Sequence, residues 1–296
     1  MGQILVLGLI AGAIYGLFAL GVVLVYQGTG AINFAQGEVG TLGLFVAWWV
    51  VTDQGMPWIL GALLAMTFAG LVGAAFERVV IRPMVAATRV SISVATIGLL
   101  SLLLALENQL FSPSPRALRA PVEAAGTELF GVVVSPTQWI SLGVVALVAV
   151  GIGVLLRRTD FGLGVLATAQ DPAGARLMGV PFNLVSMFVW GTAAAISVLG
   201  ALLVVPTAGG LFVPGFASVL FLKGLAAAVV GGLSSMSGAF VGGLALGVIE
   251  AAVKDVFGDS SLVGVEILAI FLLVLLVLLF RPGGLVSGLR AKGATA

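Results

Sequence analysis

Long apolar stretches, each near the length of a membrane-spanning helix, most constrain how this 296-residue chain can fold. An α-helix needs about 20 predominantly apolar residues to cross the hydrocarbon core of a bilayer. The stretches that approach or meet this length are 3–25, 35–52, 57–79, 91–111, 137–156, 184–206, 217–234, 238–256 and 262–280. Only 8% of the residues are charged, against about 25% in soluble domains, and the stretches do not alternate as β-barrel strands do. The pattern predicts an all-α polytopic integral membrane protein.

Two of these stretches are weaker candidates for a full crossing. The stretch 35–52 begins in a polar, glycine-rich sequence, and the stretch 217–234 contains Lys223. Irregular backbone at membrane depth is tolerated where protein buries it or water lines it, so either stretch is a candidate broken or re-entrant helix. We expect about 8–10 transmembrane or re-entrant helices in a single transmembrane domain over residues 1–296.

Lysines and arginines predict the orientation of the helices, because short cytoplasmic loops carry an excess of these residues. If the nine stretches alternate in direction, most basic residues fall on one side of the membrane. Those on that side are Arg78, Arg82, Arg89, Arg157, Arg158, Arg176, Arg281, Arg290 and Lys292. The C-terminus and the segment 157–181 are therefore expected in the cytoplasm. The N-terminus and the loop 112–135 are expected outside.

Missing residue types and motifs exclude several functions. The chain has no cysteine and no histidine, which removes thiol catalysis, disulfides and every metal site built on those ligands. A nucleotide-binding P-loop needs Gly-Lys-Ser/Thr, and none of Lys223, Lys254 and Lys292 follows a glycine. The net charge of +1 and the lack of a basic tract argue against nucleic acid as a partner. We expect no enzyme activity, metal or cofactor, and any ATP that drives the protein is hydrolysed by another polypeptide.

The run YQGTGAINFAQGEVG, residues 26–40, interrupts the apolar sequence with glycines and polar side chains. Discontinuous helices build the solute site in many transporters. One interpretation is a broken helix along the substrate pathway, in which Asn33, Gln36 and Glu38 meet polar groups and Phe34 meets an apolar side chain. The other is an ordinary loop, in which Asn33 caps the second helix and Glu38 favours its dipole.

Glycines four residues apart recur near both ends of the chain. They are Gly8, Gly12 and Gly16 in the first apolar stretch, and Gly243 and Gly247 in the eighth. Small residues at this spacing let membrane helices approach closely. We predict helix-packing seams, either inside the bundle of this chain or against a second subunit.

Ionisable side chains within the apolar stretches are functional candidates. The candidates singled out here are Glu107, Lys223, Glu250 and Glu266. Lys254 follows Glu250 by four residues, in the order that favours an ion pair along a helix.

The polar segment RRTDFGLGVLATAQDPAGARLMGVP, residues 157–181, separates two apolar stretches. Its second half carries an N-cap residue, a proline suited to the first helical position, a glycine suited to the helix end and a proline that stops the helix. These are Asp171, Pro172, Gly179 and Pro181. A short helix is therefore predicted over Pro172–Met178. It is either a docking surface for another protein or a connector packed under the bundle.

Several ordered motifs resemble one known family. They are GLIAGAIYGLFALGVVLVYQGTGAINFAQGEVGTLG at 8–43, ERVVIRPM at 77–84, TDFGLGVLATAQDPAGARLMGVPFN at 159–183, FLKGLAAAVVGGLSSMSGAFVGGLALGVIEA at 221–251 and RPGGL at 281–285. Together they are similar to the LivH-like permeases of ATP-binding cassette (ABC) importers for branched-chain amino acids and related small solutes. The resemblance covers nearly the whole chain.

The resemblance implies the ABC importer permease fold and a permease subunit that forms the translocation pathway in a bacterial-type inner membrane. The implied partners are a second permease subunit, identical or different, two cytoplasmic ATPase subunits and an external solute-binding protein. The expected solute is a branched-chain amino acid. Urea, short amides and aromatic acids are alternatives within the family, and an autonomous secondary transporter or channel is the alternative outside it.

The resemblance also assigns ATPase coupling to the segment 157–181. The coupling residues are expected to be Asp171, Pro172, Arg176, Leu177, Met178 and Gly179. Leu166 stands where the family often carries an arginine, so contact with the ATPase is expected from the short helix rather than from the first half of the segment.

Overall fold

A computed structural model describes residues 2–84, 87–122, 124–129, 131–257, 264–281 and 283–285 of the chain. Arg290 and Lys292, which are predicted to be cytoplasmic, lie outside the described residues. Within the described part, helices dominate and the strands form only two-stranded pairs. The helices are α1 Gly2–Thr29, α2 Gln36–Trp48, α3 Trp58–Phe76, α4 Arg89–Phe111, α5 Pro136–Arg158, α6 Asp160–Gln170, α7 Pro172–Leu177, α8 Phe182–Val204, α9 Phe216–Gly231, α10 Met236–Phe257 and α11 Val265–Phe280.

Each of the nine apolar stretches holds one of the α-helices of the described part, which confirms the polytopic all-α fold. Six helices of the described part are long and apolar enough to cross a membrane, namely α1, α3, α4, α5, α8 and α10. The helices α9 and α11 are apolar but have 16 residues each. The helix α2 has 13 residues and is continued by a π-helical segment, Trp49–Asp53. The two stretches that were weaker candidates from sequence thus correspond to two of these three shorter helices, α2 and α9.

The helix α6 was not predicted from the sequence. It begins directly after α5 ends, and Thr159 caps it by accepting a hydrogen bond from the backbone N–H of Gly162 at 3.0 Å. A Cβ atom at Gly162 would lie 2.5 Å from the Cα atom of Leu156. Glycine at this position therefore lets α6 fold back closely against the end of α5.

Short antiparallel strands lie in the loops that join the helices. The strands β2 (Thr127–Leu129) and β3 (Val132–Val134) form a hairpin in the predicted external loop. Gly131 turns between them with a φ of +79°, which favours glycine. The strand β1 (Arg116–Ala117) pairs with β4 (Leu211–Phe212), which follows α8.

The chain forms two compact units. The first unit comprises residues 1–23, 122–149 and 222–296, and the second comprises 24–121 and 150–221. The helices α1, α5 and α9 each begin in one unit and end in the other.

In the second unit, α8 is the central helix and is buried along most of its length. Its residue Trp190 is fully buried, and the Trp190 ring centroid lies 5.8 Å from that of Phe76 in α3. A Cβ atom at Gly73 of α3 would lie 2.7 Å from the carbonyl oxygen of Trp190. Close approach of α3 to α8 therefore requires a residue without a side chain at position 73.

In the first unit, the glycines of α1 face those of α10. A Cβ atom at Gly12 would lie 2.8 Å from the carbonyl oxygen of Gly243, and one at Gly8 would lie 3.0 Å from that of Gly247. A Cβ atom at Gly16 would lie 2.7 Å from the ring of Phe240. The two glycine patterns noted in the sequence thus meet each other within a single chain.

Candidate functional site

The segment between α1 and α2 is a buried interruption of the helical backbone. Residues 30–35 are not helical, and Gly30 has a φ of +72°. The side-chain oxygen of Asn33 accepts a hydrogen bond from the N–H of Ala35 at 3.1 Å, and the N–H of Phe34 donates to the Thr96 hydroxyl at 3.1 Å. The side chain of Asn33 therefore supports the interruption and does not cap α2, whose N-cap residue Ala35 forms no side-chain cap.

Glu38 lies in the first turn of α2, but its carboxylate is enclosed by protein. The side chain is 2% exposed, and its Oε1 accepts a hydrogen bond from the Ser218 hydroxyl of α9 at 2.8 Å. A carboxylate that served only the dipole of α2 would not need a partner on α9. The arrangement links the start of α2 to the start of α9.

Glu107 of α4 approaches Glu38 in the same enclosed space. Glu107 is fully buried, and its Oε2 accepts a hydrogen bond from the N–H of Gly215 at 3.1 Å. The two carboxyl groups are close enough to interact, and a Cβ atom at Gly215 would lie 3.7 Å from Glu38 Oε1. Gly215 has a φ of +78°, which favours glycine at the point where both carboxylates converge. We refer to Glu38, Glu107, Gly215 and Ser218 as the carboxylate site.

One oxygen of each carboxylate remains without a hydrogen-bond partner. These atoms are Glu38 Oε2 and Glu107 Oε1, and both are buried among the described residues. No lysine or arginine in the described part of the chain forms an ion pair with either group. The carboxylate site is thus rich in acceptors and has no cation of its own.

An aromatic residue lies four positions along the chain from each glutamate of the carboxylate site. Phe34, four residues before Glu38, packs edge-on against Phe221 of α9, with ring centroids 6.4 Å apart. Phe111, four residues after Glu107, stacks on Phe45 of α2 with centroids 4.1 Å apart. Glu107 and Phe111 lie four residues apart within α4 and so share one face of that helix, whereas Phe34 lies in the interruption before α2.

Gln36 is also fully enclosed, and both polar atoms of its amide lack partners in the described residues. A buried polar group without a partner costs about 1–3 kcal/mol, so such a group is explained by water, an ion, a ligand or strain. Gln36 lies two residues before Glu38, so its side chain points to a different side of α2. Gln36 is therefore a polar position separate from the carboxylate site.

A second cluster of buried polar side chains lies in the first unit, where Glu250 of α10 has three partners. Lys223 Nζ of α9 lies 2.9 Å from both carboxylate oxygens, and the Tyr15 hydroxyl of α1 donates to Glu250 Oε2 at 2.7 Å. Lys254 Nζ lies 2.7 Å from Glu250 Oε1, as the spacing of four residues predicts. We call these four residues the ion cluster. It joins α1, α9 and α10 and leaves no oxygen of Glu250 unused.

The predicted coupling helix is present as α7, Pro172–Leu177, and Asp171 precedes it directly. Gly179 has a φ of +82°, and the N–H of Val180 donates to the carbonyl of Ala175 at 3.0 Å. This hydrogen bond and the left-handed glycine form a Schellman motif, the helix end that Gly179 predicts. Leu177 and Met178 at the end of the helix are 88% and 86% exposed.

Arg176 does not extend freely from α7. Its guanidinium lies over the ring of Phe182, 4.3 Å from the ring centroid, at the start of α8. A cation over an aromatic face is held by the ring quadrupole. The contact fixes the orientation of Arg176, while Leu177 and Met178 form an apolar surface beside it.

Sequence analysis did not assign three members of the carboxylate site, Glu107, Gly215 and Ser218. The sequence did mark Glu107 as a functional candidate, because it is an ionisable residue within an apolar stretch. Nothing in the sequence distinguished Ser218 or Gly215, since serine and glycine are common in membrane proteins of this kind. The structure brings Phe34 and Glu38 to α9, whereas Asn33 folds back on its own backbone.

Comparisons with known proteins show which family the chain is similar to. Residues 4–280 match the family model described as branched-chain amino acid transport system / permease component. The high-affinity branched-chain amino acid transport system permease protein BraD of Pseudomonas aeruginosa is 33% identical over 300 residues, covering 96% of this chain and 95% of that protein. The corresponding protein LivH of Escherichia coli K12 is 28% identical, covering 95% of this chain and 93% of that protein. A probable LivH of Methanocaldococcus jannaschii is 27% identical over 91% of this chain and 87% of that protein.

A solved structure supports the fold independently. A chain of PsaBC from Streptococcus pneumoniae, solved in complex with Fab, superposes with a TM-score of 0.51 over 92% of this chain and 90% of that chain. The sequence identity is 15%, so this likeness shows the fold alone.

Proposed function

This chain belongs to the family of branched-chain amino acid transport permeases, and from that premise we propose that it forms the translocation pathway for a branched-chain amino acid in an ABC importer. The observation that carries the proposal is the family match over residues 4–280, which includes every helix of the described part from α2 to α11 and nearly all of α1. The chain is a transport permease and not an enzyme.

The pathway of this permease runs along the interrupted start of α2 and the carboxylate site. Ionisable side chains within membrane segments are costly to bury, and those that are kept there often mark a substrate pathway. Asn33 and Phe34 lie in this interruption, and Gln36 and Glu38 lie in the first turn of α2 directly after it. The ring of Phe34 packs against that of Phe221 of α9, and these rings provide apolar surface for an aliphatic side chain.

Energy for transport comes from separate ATPase subunits on the cytoplasmic side. The apolar surface of Leu177 and Met178 is the surface that receives an ATPase subunit, and Asp171, Pro172, Arg176 and Gly179 fix its shape. A second permease subunit and an external solute-binding protein complete the assembly. The C-terminus lies in the cytoplasm and the N-terminus outside, as the distribution of arginines favours.

The solute is tested by competition in the assembled importer. Uptake of labelled leucine should be reduced by unlabelled isoleucine and valine, whereas equal concentrations of urea, acetamide or phenylalanine should leave it unchanged. The measurement is initial uptake into vesicles that contain both permeases, the ATPases and the solute-binding protein. Equal competition by urea or phenylalanine, or no uptake of leucine, would contradict the proposed solute.

A further inference from the structure

We propose that three phenylalanine rings, from α2, α4 and the segment between α8 and α9, form the external gate of the translocation pathway. They belong to Phe45, Phe111 and Phe212, and we call them the aromatic layer. The gate opens when the segment that carries Phe212 moves away from the other two rings. This inference rests on the proposed function and names the residues of this chain that close the pathway on one side of the membrane.

The aromatic layer closes the space between α2 and α4. The Phe45 side chain is fully buried and its ring stacks on that of Phe111, with centroids 4.1 Å apart and an interplanar angle of 6°. Phe212 is 1% exposed and packs edge-on against the same Phe45 ring, with centroids 5.0 Å apart. Aromatic rings at these separations are in direct contact. A solute therefore cannot pass between them in this conformation.

The aromatic layer lies beyond the carboxylate site, towards the side of the membrane that is predicted to be external. Phe111 follows Glu107 by four residues in α4, and Phe45 follows Glu38 by seven residues in α2. Because Glu38 meets Glu107 and Phe45 meets Phe111, α2 and α4 run in the same direction here. The helix α4 ends at the loop 112–135, which is predicted to lie outside. A solute from outside thus meets the aromatic layer before the carboxylate site.

Phe212 lies in a short segment with glycines on both sides. Gly209, Gly210 and Gly215 have φ values of +89°, +76° and +78°, in the region that favours glycine. The segment pairs with the rest of the chain through the two-residue strands β4 and β1, and a ladder this short adds little stability. Hinges are a few residues at the ends of elements that absorb changes in φ and ψ. The segment can therefore leave α2 and α4 without unfolding a long helix.

Arg116 fixes the strand against which the segment closes. Its guanidinium donates a hydrogen bond to the carbonyl of Phe111 at 3.0 Å and lies 4.8 Å from the centroid of the Trp48 ring. These contacts tie β1 to the ends of α4 and α2. Arg116 is also the register partner of Phe212 in the ladder of β1 and β4. The strand β1 is thus a fixed support, and β4 is the part that moves.

Gly215 connects the movable segment to the carboxylate site. It lies three residues after Phe212, and its N–H donates to Glu107 Oε2 at 3.1 Å. Movement of the segment that opens the aromatic layer therefore also releases a carboxylate of the pathway. Opening of the gate and a change at the polar part of the pathway follow from one movement.

A disulfide between β1 and β4 tests the inference, since the chain has no cysteine of its own. Ala117→Cys with Leu211→Cys places thiols at register partners, whose Cα atoms are about 4.5–5.5 Å apart, within reach of a disulfide. Both residues are exposed, so the substitutions disturb no buried contact. In vesicles with the complete importer, we expect oxidation to abolish leucine uptake and a reductant to restore it. Unchanged uptake with the disulfide formed, as measured by mass, would overturn the inference.

Glu128→Cys with Val133→Cys is the matched control. These residues are exposed register partners of β2 and β3, in the same predicted external loop. Their disulfide closes a hairpin that has no part in the gate, so uptake should stay at the level of the reduced protein. Equal loss of uptake from both disulfides would contradict the gate.

Labelling at position 212 gives a second test, which needs no disulfide. A membrane-impermeant methanethiosulfonate reagent is added on the side of the solute-binding protein to an importer with Phe212→Cys. Because this position is buried in the closed layer, we expect slow labelling at rest and faster labelling when leucine and ATP drive turnover. Leu211→Cys is the control, since Leu211 is 53% exposed and should be labelled at the same rate in both conditions. Equal rates for Phe212→Cys at rest and during turnover would overturn the inference.

Failure of this inference differs from failure of the proposed function. Normal leucine uptake by the importer with the disulfide between β1 and β4 refutes only the gate. An importer that takes up no leucine, but whose uptake of another solute is blocked by this disulfide, refutes the proposed solute and keeps the gate.

Discussion

Replacement of Leu177 by aspartate should abolish solute uptake while the protein still inserts into the membrane. Leu177 is 88% exposed at the end of α7, so the substitution disturbs no buried contact of this chain. If Leu177 docks into an ATPase subunit, the new carboxylate must be buried in an apolar interface without a partner, which is strongly unfavourable. The measurements are uptake in vesicles, the amount of the permease in the membrane, and the amount of ATPase that copurifies with it.

Val133→Asp is the matched control for Leu177→Asp. Val133 is an exposed apolar residue of β3, in the loop predicted to lie on the opposite side of the membrane. We expect this variant to retain its ATPase subunits and to fold as the wild type does. Normal uptake by Leu177→Asp, or an equal loss of ATPase from Val133→Asp, would contradict the role of α7.

Replacement of Lys223 by methionine should destabilise the folded permease by about 3–5 kcal/mol, the range for breaking a buried ion pair. Lys223 Nζ lies 2.9 Å from both oxygens of Glu250 and 3.0 Å from the Tyr15 hydroxyl. Methionine keeps the bulk of the side chain but removes the more buried of the two charges that balance the Glu250 carboxylate. Thermal unfolding in detergent and the yield of monodisperse protein measure the loss.

Lys254→Met is the control within the same ion cluster. The Lys254 side chain is 58% exposed, whereas that of Lys223 is 19% exposed. An exposed ion pair contributes about 1 kcal/mol or less, so Lys254→Met should be much milder. The double variant Lys223→Met with Glu250→Met should recover part of the stability, because the buried carboxylate is removed with its buried partner and the Lys254 charge that remains is exposed. Equal losses from the two lysine variants would show that the ion cluster does not hold the helices together.

Features that depend on neighbours along the chain could be predicted from the sequence. Apolar stretches gave the positions of the long helices. Pro172 and Gly179 predicted where α7 begins and ends. The spacing of Glu250 and Lys254 predicted their ion pair. Each of these depends on residues within one or two helical turns, where propensity and capping act directly.

Features that depend on packing between helices could not be predicted in the same way. Glu38 and Glu107 meet across α2 and α4, and Lys223 reaches Glu250 across α9 and α10. Each glutamate was visible as a charge in apolar sequence, but hydropathy does not say which helices become neighbours. The helix α6 was missed for a local reason, because the glycines of Asp160–Gln170 weaken a helical pattern that Thr159 caps.

Accumulation of leucine in liposomes tests most directly the claim that this chain is the pathway of an ATP-driven importer. The permeases are reconstituted with or without the ATPase subunits, with the solute-binding protein on the external side and ATP on the ATPase side. We predict accumulation only when the ATPases and hydrolysable ATP are both present, and none with the purified chain alone. Transport of leucine by the purified chain alone, at the same rate with and without ATP, would contradict this account and identify an autonomous transporter or channel.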